Sequence, residues 1–412
     1  MTDILDPKFH PWMRSDEVKS VFAALGGNAR FVGGAVRNGL LKRPVDDVDI
    51  ATPLTPDVVS QKLAAAHINA VPTGIEHGTV TAVTNGKTFE VTTLRRDVAT
   101  DGRRAVVAFS TDWKEDSSRR DFTMNALYAS ADGELFDYWG GLADLKAGHV
   151  RFIGDATQRI REDYLRILRL FRFHAWYGKG DLDSEALRAS AAEKAGLAQL
   201  SGERIQKEML KLLAAEEPVP VLRIMAASGI LSEVLPGDLN IARLERLAEH
   251  DANLFRTPDS VLRLAALLPA DIQIVEAIAD KWKLSNAQRE RLVDLAAARE
   301  KIVSYLSQLE QRKLLYRLGI ERFKDRVALK WAEDDRSVTN SYWMAMLAVA
   351  DGWVKPRFPL TGRDVMLAGV SEGPLIGQIL KEVEEWWIDA DFIEDPFSLA
   401  ERLKAVVQAT AY

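Results

Sequence analysis

Two acidic side chains, Asp47 and Asp49, stand at i and i+2 in the run Val45-Asp46-Asp47-Val48-Asp49-Ile50, behind a Gly33-Gly34 pair and Arg37. On a β-strand this spacing turns both carboxylates to one face. There they repel unless a cation lies between them, and magnesium, a hard ion that prefers oxygen ligands, suits the position. The glycine pair admits a close backbone approach, and the helical turn after it offers free N–H groups to a phosphate. Glu90, in Thr88-Phe89-Glu90-Val91-Thr92, becomes a third carboxylate if its strand lies beside that of Asp49. It would then ligand a metal or accept the proton of an attacking hydroxyl; otherwise it is a solvent-facing glutamate. The chemistry indicated is magnesium-dependent and acts on a nucleotide.

Two arginine-bearing segments follow. In Ser118-Arg119-Arg120-Asp121-Phe122-Thr123-Met124-Asn125, Arg120, Asp121 and Asn125 could clamp phosphates and orient a ribose, because the planar guanidinium fork donates two hydrogen bonds to phosphate. A surface ion pair capping a helix would use the same residues. Asn125 reads as the opening of an apolar strand through Ala129. In Glu162-Asp163-Tyr164-Leu165-Arg166-Ile167-Leu168-Arg169-Leu170-Phe171-Arg172-Phe173, helical spacing makes Asp163 and Arg166 neighbours and continues with Arg169 and Arg172. An amphipathic helix with a salt-bridged outer face has this pattern too, but three arginines with one paired acid carry more positive charge than packing requires. Residues 95–120 read as a charge-dense loop, suited to a lid over a nucleotide, with a short strand over Ala105–Phe109. His77 reads as a turn residue, and His67, His149 and His174 lack metal-ligand spacing.

The elements that must position these groups change character along the chain. Phe31–Val32 and Val45–Ile50 read as strands around a short helix Val36–Leu41, and Pro56–Ala66 reads as a helix. Thr79–Thr84 and Thr88–Thr93 alternate in period two around Asn85-Gly86, a hairpin signal. After His149 the strand signals stop, and helical spacing is punctuated by Pro218, Pro236, Pro258, Pro269, Pro356 and Pro359. The fold class expected is α+β, with a small mixed, mostly antiparallel sheet first and an all-α remainder. A chain of 412 residues needs more than one core. Its 47% hydrophobic and 28% charged residues are ordinary for a soluble globular protein. No apolar run is long enough for a membrane span, and Met1–Arg14 lacks the pattern of a signal peptide. With no cysteine, disulfides and thiolate-bound zinc are excluded and a reducing, cytoplasmic setting fits. A net charge of −6 argues against indiscriminate nucleic-acid binding. Residues 146–215, however, carry 13 Lys/Arg against 9 Asp/Glu, a local +4 that suits a selective RNA contact.

The motifs GGAVRNGLLKRPVDDVDIAT (33–52), GIEHGTV (74–80), FEVTTLRRD (89–97), SRRDFTMNAL (118–127), GGLADL (140–145) and REDYLRILRLFRF (161–173) occur in one order. In this the chain resembles the class II tRNA nucleotidyltransferases, the CCA-adding enzymes, and their bacterial poly(A) polymerase relatives. The resemblance is strong over residues 28–175 and weaker through SGERIQKEMLKLL (201–213) and KLSNAQRER (283–291). It implies a catalytic nucleotidyltransferase head (1–145), a nucleotide-selecting neck (146–215) and a helical body and tail that bind tRNA (216–412). In the head, Asp47 and Asp49 would hold two magnesium ions (Mg2+), Gly33, Gly34 and Arg37 would bind the triphosphate, and Arg120 with Asp121 would contact the incoming nucleotide. In the neck, Asp163 and Arg166 would choose the base, with Glu162 among the nucleotide-binding residues and Arg169 and Arg172 supporting phosphates and site. An Asp–Arg pair offers acceptors and donors in one plane, which reading the edge of C or A requires.

The substrates implied are CTP, ATP and the tRNA 3′ end, and the reaction is template-independent addition of C, C and A with release of pyrophosphate. Within the family the alternatives are a poly(A) polymerase and a specialised A-adding or CC-adding enzyme. The long helical body stands against a small-molecule nucleotidyltransferase, and the intact Asp47, Asp49 and Arg120 stand against a non-catalytic RNA-binding protein. One departure is Asn38, where the family usually has Asp; neutral Asn keeps hydrogen-bonding capacity but loses the charge of an ion pair with Arg37. Lys283, Arg289 and Arg291 are candidate phosphate contacts of the body. Pro359–Asp364 reads as a helix start capped by Thr361 or Gly362. The oligomeric state is left open.

Overall fold

The computed structural model describes residues 4–75, 78–101 and 104–410. The chain divides into two compact units: Met1–Leu239 with Pro258–Val261 and Glu276–Gln288, and Asn240–Thr257 with Leu262–Val275 and Arg289–Tyr412. In the first unit the order is α1 (Asp16–Leu25), β1 (Arg30–Val32), α2 (Gly34–Leu40), β2 (Asp49–Thr52), α3 (Pro56–Ala65), β3 (Asn69–Gly74), β4 (Thr79–Thr84), β5 (Lys87–Thr93), β6 (Arg95–Asp101), β7 (Arg104–Phe109), α4 (Trp113–Ser118), β8 (Tyr128–Ala129), β9 (Leu135–Phe136) and α5 (Gly141–Ala147). Helices α6 (Ala156–Glu162), α7 (Leu165–Tyr177), α8 (Ser184–Ala192), α9 (Gly202–Leu213), α10 (Val219–Ala227) and α11 (Leu231–Val234) follow.

The main sheet has the order β3-β4-β5-β2-β1-β8-β9. Every pairing is antiparallel except β2 with β5, so the sheet is mixed and mostly antiparallel, within an α+β fold. Asn85 and Gly86 take φ of 49° and 75°, the positive values a two-residue type I′ hairpin needs, and β4 and β5 close on the pair Thr84–Lys87. Alternation then decides which face is buried. Phe89, Val91 and Thr93 are buried while Glu90 is exposed. Helix α3 packs against β3, β4 and β5, and Phe22 of α1 lies 4.4 Å, ring to ring, from Phe31 of β1. On the opposite face Asp49 of β2 and Glu90 and Thr92 of β5 are polar, while Ala51 packs with Val32, Leu94 and Tyr128.

Three expectations need correction. The strand does not run from Val45 to Ile50: β2 begins at Asp49, and residues 43–48 have no regular structure. Its partner β1 pairs Phe31 with Ile50 and Arg30 with Ala51, then leaves the ladder at Gly33, where φ is 66°. On the β1 side nothing remains for residues before Asp49 to pair with, and the pairing with β5 starts only at Asp49 with Glu90, so Asp47 precedes the strand and strand alternation does not place it. Residues 95–120 are not one loop: the short strand expected over Ala105–Phe109 is present as β7, it pairs with β6 in a two-stranded ribbon, and α4 follows. Thr123–Asn125 is a 3-10 turn, and the strand starts only at Tyr128. His77 lies outside the described residues.

The second unit is helical. One of its cores gathers Leu315, Phe323, Val327, Trp331, Trp343 and Leu347; another gathers Trp387, Ile388, Phe392 and Leu399. Thr361 and Asp364 form the expected cap, with Asp364 accepting from the Thr361 amide at 2.7 Å. Arg291 is taken up by Asp325, donating to both carboxylate oxygens at 2.7 and 2.8 Å, so as placed it is engaged by protein. No helix among the described residues is long and apolar enough to cross a membrane.

Gly141, which opens α5, is wedged against the Thr123–Asn125 turn: a Cβ there would sit 2.2 Å from the Thr123 carbonyl oxygen. Gly141→Ala should therefore destabilise the protein by about 1–3 kcal/mol, the cost of overpacking. A urea or thermal unfolding midpoint equal to that of the parent would contradict this.

Candidate active site

Parallel pairing sets Asp49 opposite Glu90 and Ile50 opposite Val91. Laterally paired residues share a face, and Ile50 and Val91 are fully buried, so Asp49 and Glu90 occupy the other face together. The Asp49 carboxyl is pushed up from its ordinary range by burial first, then by Glu90 and Asp47, against the pull of Arg120. Despite its place outside the strand, Asp47 is thus close enough to act on Asp49. Like charges converging on a half-buried point are the donor set a hard divalent ion requires. Among the described residues no three His, Cys, Asp or Glu side chains close around one ion. An ion held there would keep coordination positions for phosphate oxygens and water, the usual state of magnesium on a nucleotide.

Beside the carboxylates lies the Gly33-Gly34 turn. Gly33 holds φ 66° and ψ −119°, open to glycine and strained for other residues. The Arg120 guanidinium rests over it: a Cβ on Gly33 would be 3.5 Å from Nη1. Arg37, one turn into α2, is 7% exposed. It donates to Asn125 Oδ1 at 2.5 Å, to Asn38 Oδ1 at 2.9 and 3.2 Å, and to the Tyr177 hydroxyl at 2.9 Å. Its charge lies 4.3 Å from the centre of the Tyr177 ring. Burial lowers its pKa, opposed by Tyr177 and Asp121. Asn38 also donates to the Pro44 carbonyl at 3.0 Å. The substitution of Asn for Asp therefore keeps the hydrogen bonds to Arg37 and drops the countercharge.

Asp121 joins the sheet side of the site to α7. Its Oδ1 accepts from the Phe122 amide at 2.8 Å and Asn125 Nδ2 at 3.0 Å; its Oδ2 accepts from Arg169 Nε at 2.8 Å and Nη2 at 2.5 Å. Burial opposes its charge, but Arg169, Asn125 and the Phe122 amide outweigh it and hold the carboxyl well below the usual range. Arg169 also faces Glu208 at 3.6 Å, and Glu208 accepts from Arg172 as well.

The acid–arginine pairing expected around α7 is exchanged. Asp163 has extended backbone, φ −159° and ψ 106°, at the break between α6 and α7. It is therefore not the i, i+3 helical partner of Arg166. Arg166 donates instead to Glu162 at 2.5 Å, and Asp163 accepts from Arg204 of α9 at 2.7 Å while capping α7 through the Leu165 amide at 3.1 Å. Sequence reasoning missed Arg204, Glu208, Tyr177, Asp116 and Arg159. Arg159 donates to the main-chain carbonyls of Arg119 at 2.5 Å and Arg120 at 2.7 Å, and Arg166 reaches Arg119 O at 3.2 Å. The i, i+4 pair Arg204 and Glu208 was readable as a polar helix face; nothing in the sequence marks Arg159 as a ligand of carbonyls.

Paired carboxylates on an open sheet face, a glycine turn under an arginine, and an arginine-bearing helix behind them define a nucleotidyltransferase head. Residues 29–151 match the poly A polymerase head domain, and residues 181–238 match the probable RNA and SrmB-binding site of polymerase A. Over 380 residues the chain is 35% identical to the mitochondrial CCA tRNA nucleotidyltransferase 1 of Mus musculus, covering 89% of this chain and 84% of that one. Over 385 residues it is 36% identical to the CCA-adding enzyme of Streptococcus sanguinis, covering 89% and 90%. The Bacillus stearothermophilus CCA-adding enzyme, solved in complex with CTP, aligns over 96% of this chain and 98% of its own at 27% identity and a TM-score of 0.71. The Thermotoga maritima CCA-adding enzyme, solved with tRNA, shares the fold at a TM-score of 0.71 and 20% identity, covering 97% of each chain. The chain belongs to the CCA-adding enzyme family of tRNA nucleotidyltransferases.

The Asp121 network makes a pH-dependent prediction. Because its folded pKa is depressed, Asp121 contributes stability that is fully present above the unfolded carboxylate value, about 4, and is lost as pH falls below it. Asp121→Asn should cost about 1–3 kcal/mol at pH 7, and the difference from the parent should shrink steadily below pH ~4. Urea midpoints across that range measure it; a difference independent of pH would rule out the carboxylate as the cause.

Proposed function

We propose that this enzyme builds the CCA end of tRNA, transferring C, C and A from CTP and ATP to the 3′-hydroxyl without a nucleic-acid template and releasing pyrophosphate. The observation that carries this reading is the pairing of Asp49 with Glu90, within the electrostatic reach of Asp47, beside an arginine that overlies the Gly33 turn, in a chain similar along most of its length to enzymes named for CCA addition. In this reading residues 1–145 are the catalytic head, 146–215 the neck and 216–412 the body and tail, the last gripping tRNA by shape and phosphate contacts.

Each residue then has a task. The Gly33-Gly34 turn and Arg120 bind the triphosphate and sugar, and the buried Arg37 holds Asn125 and the turn in place. Glu90 stands beside Asp49, where it can accept the proton of the attacking hydroxyl. Asp47 and Asp49 would hold magnesium, two ions being expected, which when bound neutralises charge at the transferring phosphate. Asp163 and Arg166 choose the base. Both have capacity left: a carboxylate has about four acceptor sites and a guanidinium five donors. Of Arg166, Nη1 serves Glu162 and Arg159 O, and Nη2 serves Arg119 O. Glu162, Arg169 and Arg172 fix the orientation of this pair through Arg166, Asp121 and Glu208.

The deciding assay offers tRNAs lacking the whole CCA end, its last two nucleotides or only the final A, each with CTP, ATP or both. All three should be completed and none extended further. Homopolymeric A tails would indicate a poly(A) polymerase, and repair of one class only would indicate a specialised A-adding or CC-adding enzyme. In the same assay Asp47→Ala should abolish incorporation of both nucleotides while leaving the unfolding midpoint within a few degrees of the parent. Arg166→Ala should blur the choice between CTP and ATP more than it slows transfer. An unchanged preference in competition would remove Arg166 from base selection.

A further inference from the structure

The Asp116 carboxylate, on α4, is 1% exposed and lies outside every motif that marks the reaction. Four donors converge on it. Oδ1 accepts from Arg119 Nε at 2.9 Å and from the main-chain amide of Arg95 at 3.2 Å; Oδ2 accepts from the Tyr128 hydroxyl at 2.6 Å and from Arg120 Nη2 at 3.3 Å. Tyr128 is fully buried, and its hydroxyl also accepts from Arg120 Nε at 3.3 Å. Burial, with the Asp116 carboxylate, pushes the phenol up against the pull of Arg120, so it remains a donor to Asp116. Two of the three nitrogens of the Arg120 guanidinium are therefore fixed from behind, by Asp116 and Tyr128, and the third, Nη1, is the one beside Gly33. The Arg95 amide opens β6, so the same carboxylate also pins the base of the β6–β7 ribbon.

We infer that Asp116 is a positioning residue for nucleotide binding: with Tyr128 it orients Arg120 so that Nη1 faces the phosphate turn, and it ties the ribbon base to that orientation. The inference rests on the proposed contact between Arg120 and the nucleotide. Because Arg120 faces groups common to both substrates, losing its support weakens CTP and ATP alike and leaves the choice between them untouched. That separates Asp116 from Asp163 and Arg166, whose loss changes the choice.

The test is steady-state kinetics of Asp116→Asn, which keeps the side-chain volume and removes the charge, with CTP and ATP measured separately. KM for both should rise about tenfold, the scale of a lost charge-assisted hydrogen bond, with kcat changing less and the CTP-to-ATP preference constant. Tyr128→Phe, which removes one hydroxyl from an otherwise unchanged core, should raise both KM values in the same sense and carries the test should Asp116→Asn fold poorly. In an Arg120→Ala background, Asp116→Asn should add nothing further to KM. Loss of active enzyme at unchanged KM, or effects of Asp116→Asn and Arg120→Ala on KM that multiply, would overturn the inference while leaving the function standing. An Arg120→Ala variant with parental KM would instead overturn the assigned contact of Arg120, and the inference with it.

Discussion

One carboxylate, Asp121, joins the catalytic side of the first unit to α7. Through Asn125 it reaches Arg37 and the turn beneath the triphosphate position; through Arg169 it reaches Glu208 and Arg172. Both of its oxygens are filled by donors, and its side chain is 9% exposed. Removing one partner of a pair so enclosed costs about 1–3 kcal/mol, because Arg169, which is left with Glu208 at 3.6 Å, loses its nearer countercharge. The pair Lys404–Glu401, by contrast, is 66% and 55% exposed and belongs to the class worth about 0–1 kcal/mol. The many surface ion pairs therefore add little, and the geometry of the site rests on a few enclosed ones.

Those enclosed pairs divide the site into two electrostatic regimes. Around Asp121, Asp116 and Glu208 each acid meets arginines, and the charges are matched within the protein. Around Asp49 the acids meet one another, and its carboxyl is driven up rather than down. Matched charge gives rigidity; unmatched charge gives affinity for something absent from the polypeptide. An enzyme that transfers a nucleotidyl group needs both side by side, a fixed frame and carboxylates that would hold cations.

Much of this was legible in the sequence where local rules decide. The Asn85-Gly86 hairpin, the Thr361–Asp364 cap, α3 and the switch from strands to helices all follow from turn chemistry and periodicity. The register that sets Glu90 against Asp49 was legible only as a condition, since parallel pairing of β2 with β5 joins segments far apart in the chain. Local rules failed where tertiary partners decide. Asp47 reads as a strand residue, yet β1 ends too soon to pair with it. Asp163 reads as the partner of Arg166, yet the helix breaks there, and Arg204, some 40 residues on, takes the acid. Arg159 and Asp116 carry no functional signature: their near neighbours Glu162, Arg119 and Arg120 read as ordinary helical ion pairs, and the ligands that set them apart are main-chain groups and a distant tyrosine.

Asn38 links nucleotide binding to the stability of the fold. Arg37 is held by an amide on Asn125, an amide on Asn38 and a phenol on Tyr177, all neutral, in a place from which water is largely excluded. Its cationic field is thus not quenched by the groups it bonds to. A polyanionic cargo arriving at the neighbouring turn would relieve that burial penalty as well as gain its own contacts, so occupancy and tightness of the fold should rise together.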